Sequence, residues 1–112
     1  MTAQRSWALA FVLTAASGTS AAAGDVVPIE FWDRPRTGRA VLEQPAIGEA
    51  VRTHLRQEGS RLVLHHGPTQ DSRVLADELR AWLMALALEA PRITLRNDLK
   101  IAEPLRIEVI GK

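Results

Sequence analysis

The run Leu62-Val63-Leu64-His65 is apolar at consecutive positions, with no polar residue alternating until its end. Successive side chains of a strand point to opposite faces, so a run of this kind has to be covered on both. It belongs in the middle of a sheet, between neighbouring strands and under helices, and the rest of the chain offers both. Upstream, Val26 to Trp32 puts Val27, Ile29 and Phe31 on one face at period two, which predicts a first strand. Pro28 cannot donate to a ladder, which suits an edge or a strand start. Asp33 to Arg39, rich in Arg, Pro and Gly, reads as a loop. Pro45 fits a first helical turn. From there Ile47, Ala50, Val51, His54 and Leu55 recur at three- and four-residue spacing, predicting a helix that ends near Glu58-Gly59.

Downstream of the central run, Thr69 to Ser72 supplies candidate N-caps. Leu75, Leu79, Trp82, Leu83 and Leu86 then form one apolar stripe that stops before Pro91, the strongest helix signal in the chain. Ile93-Thr94-Leu95 and the alternating Leu105-Arg106-Ile107-Glu108-Val109 predict two closing strands, with Leu99 to Ala102 extending or pairing with one of them. The expected order is β-α-β-α-β-β, an α/β fold built as a compact two-layer sandwich. Two helical crossovers imply parallel neighbours joined by right-handed connections. No internal repeat, low-complexity tract or linker divides the chain, so one domain is expected.

The N-terminus has a different character. Arg5 is followed by the apolar run Trp7 to Ala16 and by small residues from Ser17 to Ala23, the order of a secretory signal peptide. A membrane-spanning helix needs about 20 apolar residues, and this run is interrupted at about half that length. Ala21-Ala22-Ala23 before Gly24 offers a cleavage site. Residues 1–23 are therefore expected to be removed and residues 24–112 to form the working domain, with no membrane span after cleavage. Removing 23 of 112 residues leaves 89, enough for one hydrophobic core. Of 14 basic residues only Arg5 precedes Gly24, so the remainder carries 13 basic against 13 acidic groups and has no basic stripe for nucleic acid. There is no cysteine, hence neither a disulfide framework nor a lipid attachment site. The domain must hold together by packing. Lysine occurs only at Lys100 and Lys112, an arginine bias that points to a high-GC genome, and the expected location is the periplasm of a Gram-negative cell, exported, soluble and unlipidated.

The residues that carry chemistry are few. His65 and His66 are adjacent, so on a strand they point to opposite faces and do not combine on one metal. His54 lies on the apolar face of the first helix, within possible approach of one of them, and reads as a boundary histidine. Ser60 and Ser72 occupy turn and cap positions, no Gly-x-Ser-x-Gly is present, and no Gly-rich phosphate loop occurs. The pattern predicts no enzyme, no metal site and no cofactor. Trp32 with Arg34, Arg36 and Arg39 forms an aromatic and basic stretch that reads as an ordinary connection or a partner contact.

The segments Leu62-Val63-Leu64-His65-His66-Gly67, Leu79-Arg80-Ala81 and Arg106-Ile107-Glu108-Val109 resemble a shortened, divergent OmpA-like domain, the C-terminal domain of outer-membrane protein A. The resemblance runs from Ile29-Glu30-Phe31 onward and implies the same β-α-β-α-β-β order. It also implies peptidoglycan binding, in which an aspartate takes the ammonium of diaminopimelate and an arginine pairs with its carboxylate. By that match Arg80 occupies the arginine position and His66 the histidine position, while Pro68 stands where the aspartate would be. Asp71 is the nearest acid that could replace it. Asp77 and Ala76 depart from the helix motif, and Leu105 replaces the first arginine of the closing motif while Arg106 keeps the second. The resemblance thus implies a non-catalytic periplasmic binding module for the peptidoglycan peptide stem, with Arg80, His66, Asp71 and Arg106 as candidate ligand residues. Pro68 and the short final segment imply an alternative. In it the scaffold serves as a protein-interaction subunit of a cell-envelope assembly and has lost the glycan site.

Overall fold

A computed structural model describes residues 23–111, and the expected export signal lies outside them except for Ala23. In chain order the elements are β1 (Asp25–Val26), a 3-10 turn (Ile29–Asp33), α1 (Gly38–Glu43), α2 (Pro45–Arg56), β2 (Arg61–His66), α3 (Gln70–Ala85), a second 3-10 turn (Ala90–Arg92), β3 (Ile93–Asn97) and β4 (Arg106–Ile110). The strands form one mixed sheet in the order β1-β4-β2-β3. The run that demanded two-sided cover is interior, as expected: β2 pairs parallel with β3 and antiparallel with β4.

Register explains how each face of β2 is used. Leu62 and Leu64 point into the hydrophobic core with Ile107, Ile93 and the helix residues Ile47, Ala50, Val51, Ala76, Leu79 and Leu83. The helix α2 lies against β4 and β2, and α3 lies against β2 and β3. Val63 and His65 point the other way, beside Thr94 and Glu108 and beside Arg96 and Arg106 respectively. One face of the sheet is thus packed on helices and the other is a polar surface in which Val63 and His65 are nonetheless buried.

Several expectations are corrected. The predicted strand from Val26 to Trp32 stops after Val26. Pro28 has no N–H to continue the ladder, and its carbonyl accepts from the Phe31 N–H at 3.0 Å to start the 3-10 turn. Val27 still points inward, fully buried, while Ile29 is turned out to 56% exposure. Second, β1 and β2 are not neighbours. The closing strand β4 inserts between them, antiparallel to both, so only the β2-α3-β3 crossover joins adjacent parallel strands. Third, the segment read as a loop before Pro45 ends in α1, whose first turn is capped by Thr37 Oγ1 accepting from the Ala40 N–H. Gln44 closes α1 and caps α2, its Oε1 accepting from the Ala46 N–H at 2.7 Å and the Ile47 N–H at 3.2 Å.

Of the predicted apolar stripe, Leu79 and Leu83 are buried and Leu75, Trp82 and Leu86 are half-buried against the core, with Ala76 buried beside them and Thr69 Oγ1 capping the start of α3. That of α2 holds except at Leu55, which is 71% exposed near the end of the helix. Leu99 to Ala102 adds no strand. Leu99 donates its N–H to the His66 carbonyl at 3.1 Å, and Ala102 adopts φ 73, which ends extended backbone.

The sharp α1–α2 corner depends on Gly48, because a Cβ there would overlap the Leu42 carbonyl oxygen. Gly48→Ala is expected to lower the unfolding free energy by about 1–3 kcal/mol, as for overpacked sites, whereas Leu55→Ala should stay within about 0.5 kcal/mol. Denaturant midpoints of the two variants check both.

Candidate functional site

The four residues singled out in the sequence do not converge. Asp71 and Arg80 are both on α3, nine positions apart. At the rise and rotation of an α-helix that is about 14 Å along the axis and about half a turn around it. They face opposite sides. Asp71 is exposed and lines a cavity with Gly67, Pro68 and Pro104. Half-buried Arg80 reaches the other way, its Nη2 donating to the Ala90 carbonyl at 3.4 Å just before β3. His66 ends β2 on the helix side, 3% exposed, its Nδ1 2.8 Å from the Gly67 carbonyl. Arg106 lies on the polar face of the sheet, its Nη1 donating to the Gly24 carbonyl at 2.9 Å. Only His66 and Asp71 share a neighbourhood, through the Gly67 turn between them.

That turn borders a cavity of about 230 Å³. Its walls are mainly apolar, including Ile29, Trp32, Leu75, Ile101 and Leu105, with Asp71 and Glu103 as its acids. Ile29 and Ile101 remain 56% and 72% exposed. Ser72 Oγ accepts from the Gly67 N–H at 2.8 Å and fixes the turn. The Glu103 carboxylate accepts from the Lys100 N–H at 2.6 Å, which leaves Asp71 as the acid with no hydrogen bond among the described residues.

On the polar face, His65 is held at both ring nitrogens. Nδ1 lies 2.8 and 3.0 Å from the two Asp98 oxygens, and Nε2 lies 2.8 Å from Glu108 Oε1. Both ring nitrogens therefore face carboxylate oxygens at hydrogen-bond distance. With a carboxylate against each and the ring buried, neither nitrogen faces an open position for a metal or a substrate. The histidine is a tie between β2, β4 and the segment after β3. The sequence placed His65 opposite His66 but could not show these partners, which come from positions 33 and 43 residues away.

The third histidine meets a serine. His54 Nδ1 and Ser60 Oγ are 2.7 Å apart, and Ser60 Oγ donates to the His54 carbonyl at 3.1 Å. The arrangement that satisfies all three atoms has Nδ1–H donating to the hydroxyl. The distance suits a base and a nucleophile, but Ser60 is fully buried and no substrate can reach it. Arg92 Nη1 also donates to the Ser60 carbonyl at 3.0 Å, closing this corner. Burial pushes the His54 imidazole below its ordinary value, the Arg92 charge adds to this, and Glu89 opposes it.

Within the aromatic and basic stretch Trp32 and Arg36 are tied down, while Arg34 and Arg39 are exposed. Arg36 forks onto Glu78 of α3 with contacts of 2.7 and 3.1 Å, and its Nη1 donates to the Trp32 and Arg34 carbonyls, each at 2.8 Å. Its guanidinium also lies 5.4 Å from the Trp32 ring centroid. Trp82 Nε1 donates to the same Glu78 carboxylate at 3.1 Å. The hydrogen bond from Arg36 holds the Glu78 carboxyl below the ordinary carboxylate range, against the opposing effect of burial, with Trp82 and the Arg36 charge assisting.

Among the described residues, no group of three or more His, Cys, Asp or Glu side chains is placed to hold a metal ion, and no helix is long and apolar enough to cross a membrane. No family model, curated protein or solved structure matches the chain.

The shifts of His54 and Glu78 act in one direction. A histidine lowered by folding contributes stability that is present above its ordinary value of 6.5 and lost as pH falls from there through its folded value. Glu78, also lowered, contributes stability present above 4.5 and lost on further acidification. Unfolding free energy is therefore expected to fall in two successive windows, the upper removed by His54→Asn and the lower by Arg36→Ala. Denaturant melts from pH 7 to pH 3 read both slopes.

Proposed function

We propose that this chain is a non-catalytic binding module of the cell envelope, exported to the periplasm, whose partner is a protein. The observation that carries this reading is the opposition of Asp71 and Arg80 on α3. A carboxylate and a guanidinium grip one small zwitterion only when both reach it together. With about 14 Å and half a helical turn between them, and with Pro68 at the position the OmpA-like resemblance gives to the aspartate, Asp71 does not complete a clamp with Arg80. The apolar cavity beside Gly67, with Ile29 and Ile101 exposed, supports a protein partner over a polar glycan.

The non-catalytic part of the reading rests on the histidines. Both ring nitrogens of His65 are engaged, and the serine that meets His54 is buried. Neither histidine is thus paired with an exposed nucleophile.

Incubation with purified sacculi is expected to leave the protein in the supernatant. In-cell cross-linking should recover one specific envelope protein. Co-sedimentation that Arg80→Ala abolishes would overturn this reading in favour of peptidoglycan binding through Arg80.

A further inference from the structure

The sheet ends at β3, and this edge is open. Among the described residues, no backbone hydrogen bond joins β3 to anything beyond its ladder with β2. An uncovered edge is a template for another strand unless charge, proline or a bulge protects it. Pro91 lies before β3 and not in it, and the strand pairs with β2 without interruption over five residues. The one charge along it is Arg96.

Arg96 belongs to a cross-strand row. On the polar face it stands beside His65, which stands beside Arg106. The acids nearest that row, Asp98 after β3 and Glu108 on β4, both face the His65 ring nitrogens. Among the described residues neither arginine forms an ion pair, and Arg96 is exposed. At the edge, exposed Arg96 therefore stands without an ion-pair partner, while the carboxylates of Asp98 and Glu108 contact His65. On the opposite face of β3, Ile93 is buried, but Leu95, one position before Arg96, is only half covered.

We propose that the edge of β3 accepts an extended segment of a protein partner as an added strand, one in which acidic and apolar residues alternate. This deepens the protein-binding reading above and rests on it. An added strand shares the pleat of its neighbour, so its residues alternate between the two faces. Acidic side chains on the polar face meet Arg96 at cross-strand distance. Apolar side chains on the other face cover the exposed part of Leu95. The same arginine disfavours a second copy of this chain at the edge, because paired antiparallel β3 strands would gather like charges on one face. Charge thus selects an acidic partner and rejects self-pairing.

The test uses a synthetic peptide of about eight alternating Glu and Val residues, a typical strand length, and the same peptide with Lys for Glu. Amide chemical shifts of the labelled protein are expected to move with the Glu peptide, chiefly over residues 93–97, and not with the Lys peptide. Arg96→Glu should weaken the Glu peptide by about fivefold, the size of one cross-strand charge pair, and create binding of the Lys peptide. Arg56→Glu, at the end of α2, should change neither. Equal binding of both peptides, shifts centred elsewhere, no binding by either, or concentration-dependent dimerisation through β3 would each overturn the proposal. If cross-linking recovers an envelope protein equally well with Arg96→Glu, the edge proposal fails while the protein-binding reading stands.

Discussion

Everything in this fold is arranged around the need to cover β2 on two faces with different materials. Leu62 and Leu64 require hydrocarbon, and three helices provide it. Val63 and His65 are equally hidden, yet they lie on the face that the helices do not occupy. An imidazole buried there has to find polar partners, since an unpaired buried polar group costs about 1–3 kcal/mol. Asp98 and Glu108 supply them, one from the segment after β3 and one from β4. The central strand is thereby locked to the elements on both sides of it.

A second constraint fixes the layer above. The N-terminal part of the chain leaves the sheet at Pro28 and must return over the core to reach α1. Arg36 secures that return with both edges of its guanidinium, one on the Glu78 carboxylate and one on backbone carbonyls, while Trp32 stacks against it and Phe31 meets Trp32 edge-on at 5.0 Å. Planar, multiply bonded arginine contacts of this kind are not reproduced by lysine. This gives a physical role to one of the many arginines that composition alone could only count.

How far the site was legible follows from the type of signal each residue gives. Arg80, His66 and Arg106 stand out through a motif likeness and Asp71 as the acid nearest to Pro68, signals that order residues along the chain and say nothing about the side of a helix on which they emerge. Nine positions along α3 is the spacing that sends two side chains to opposite faces. That separation could be calculated once the helix was drawn, whereas the reach of Arg80 to Ala90 could not. The partners of His65 and the meeting of His54 with Ser60 had no sequence signal, because each joins segments brought together by chain reversal.

By itself, the sequence determined the interior place of Leu62 to His65, the buried stripe of α3, the alternation of β4 and the opposite orientation of the two histidines. All four follow from side-chain periodicity, which is a local property of a helix or a strand. Only the tertiary structure decided that β4 inserts between β1 and β2, that the stretch after Pro28 turns instead of extending, and that β3 is left at the open edge of the sheet. Strand order is a contest among non-local pairings. Antiparallel β4 can satisfy the backbone groups of both β1 and β2 at once, and no residue in either strand records that outcome.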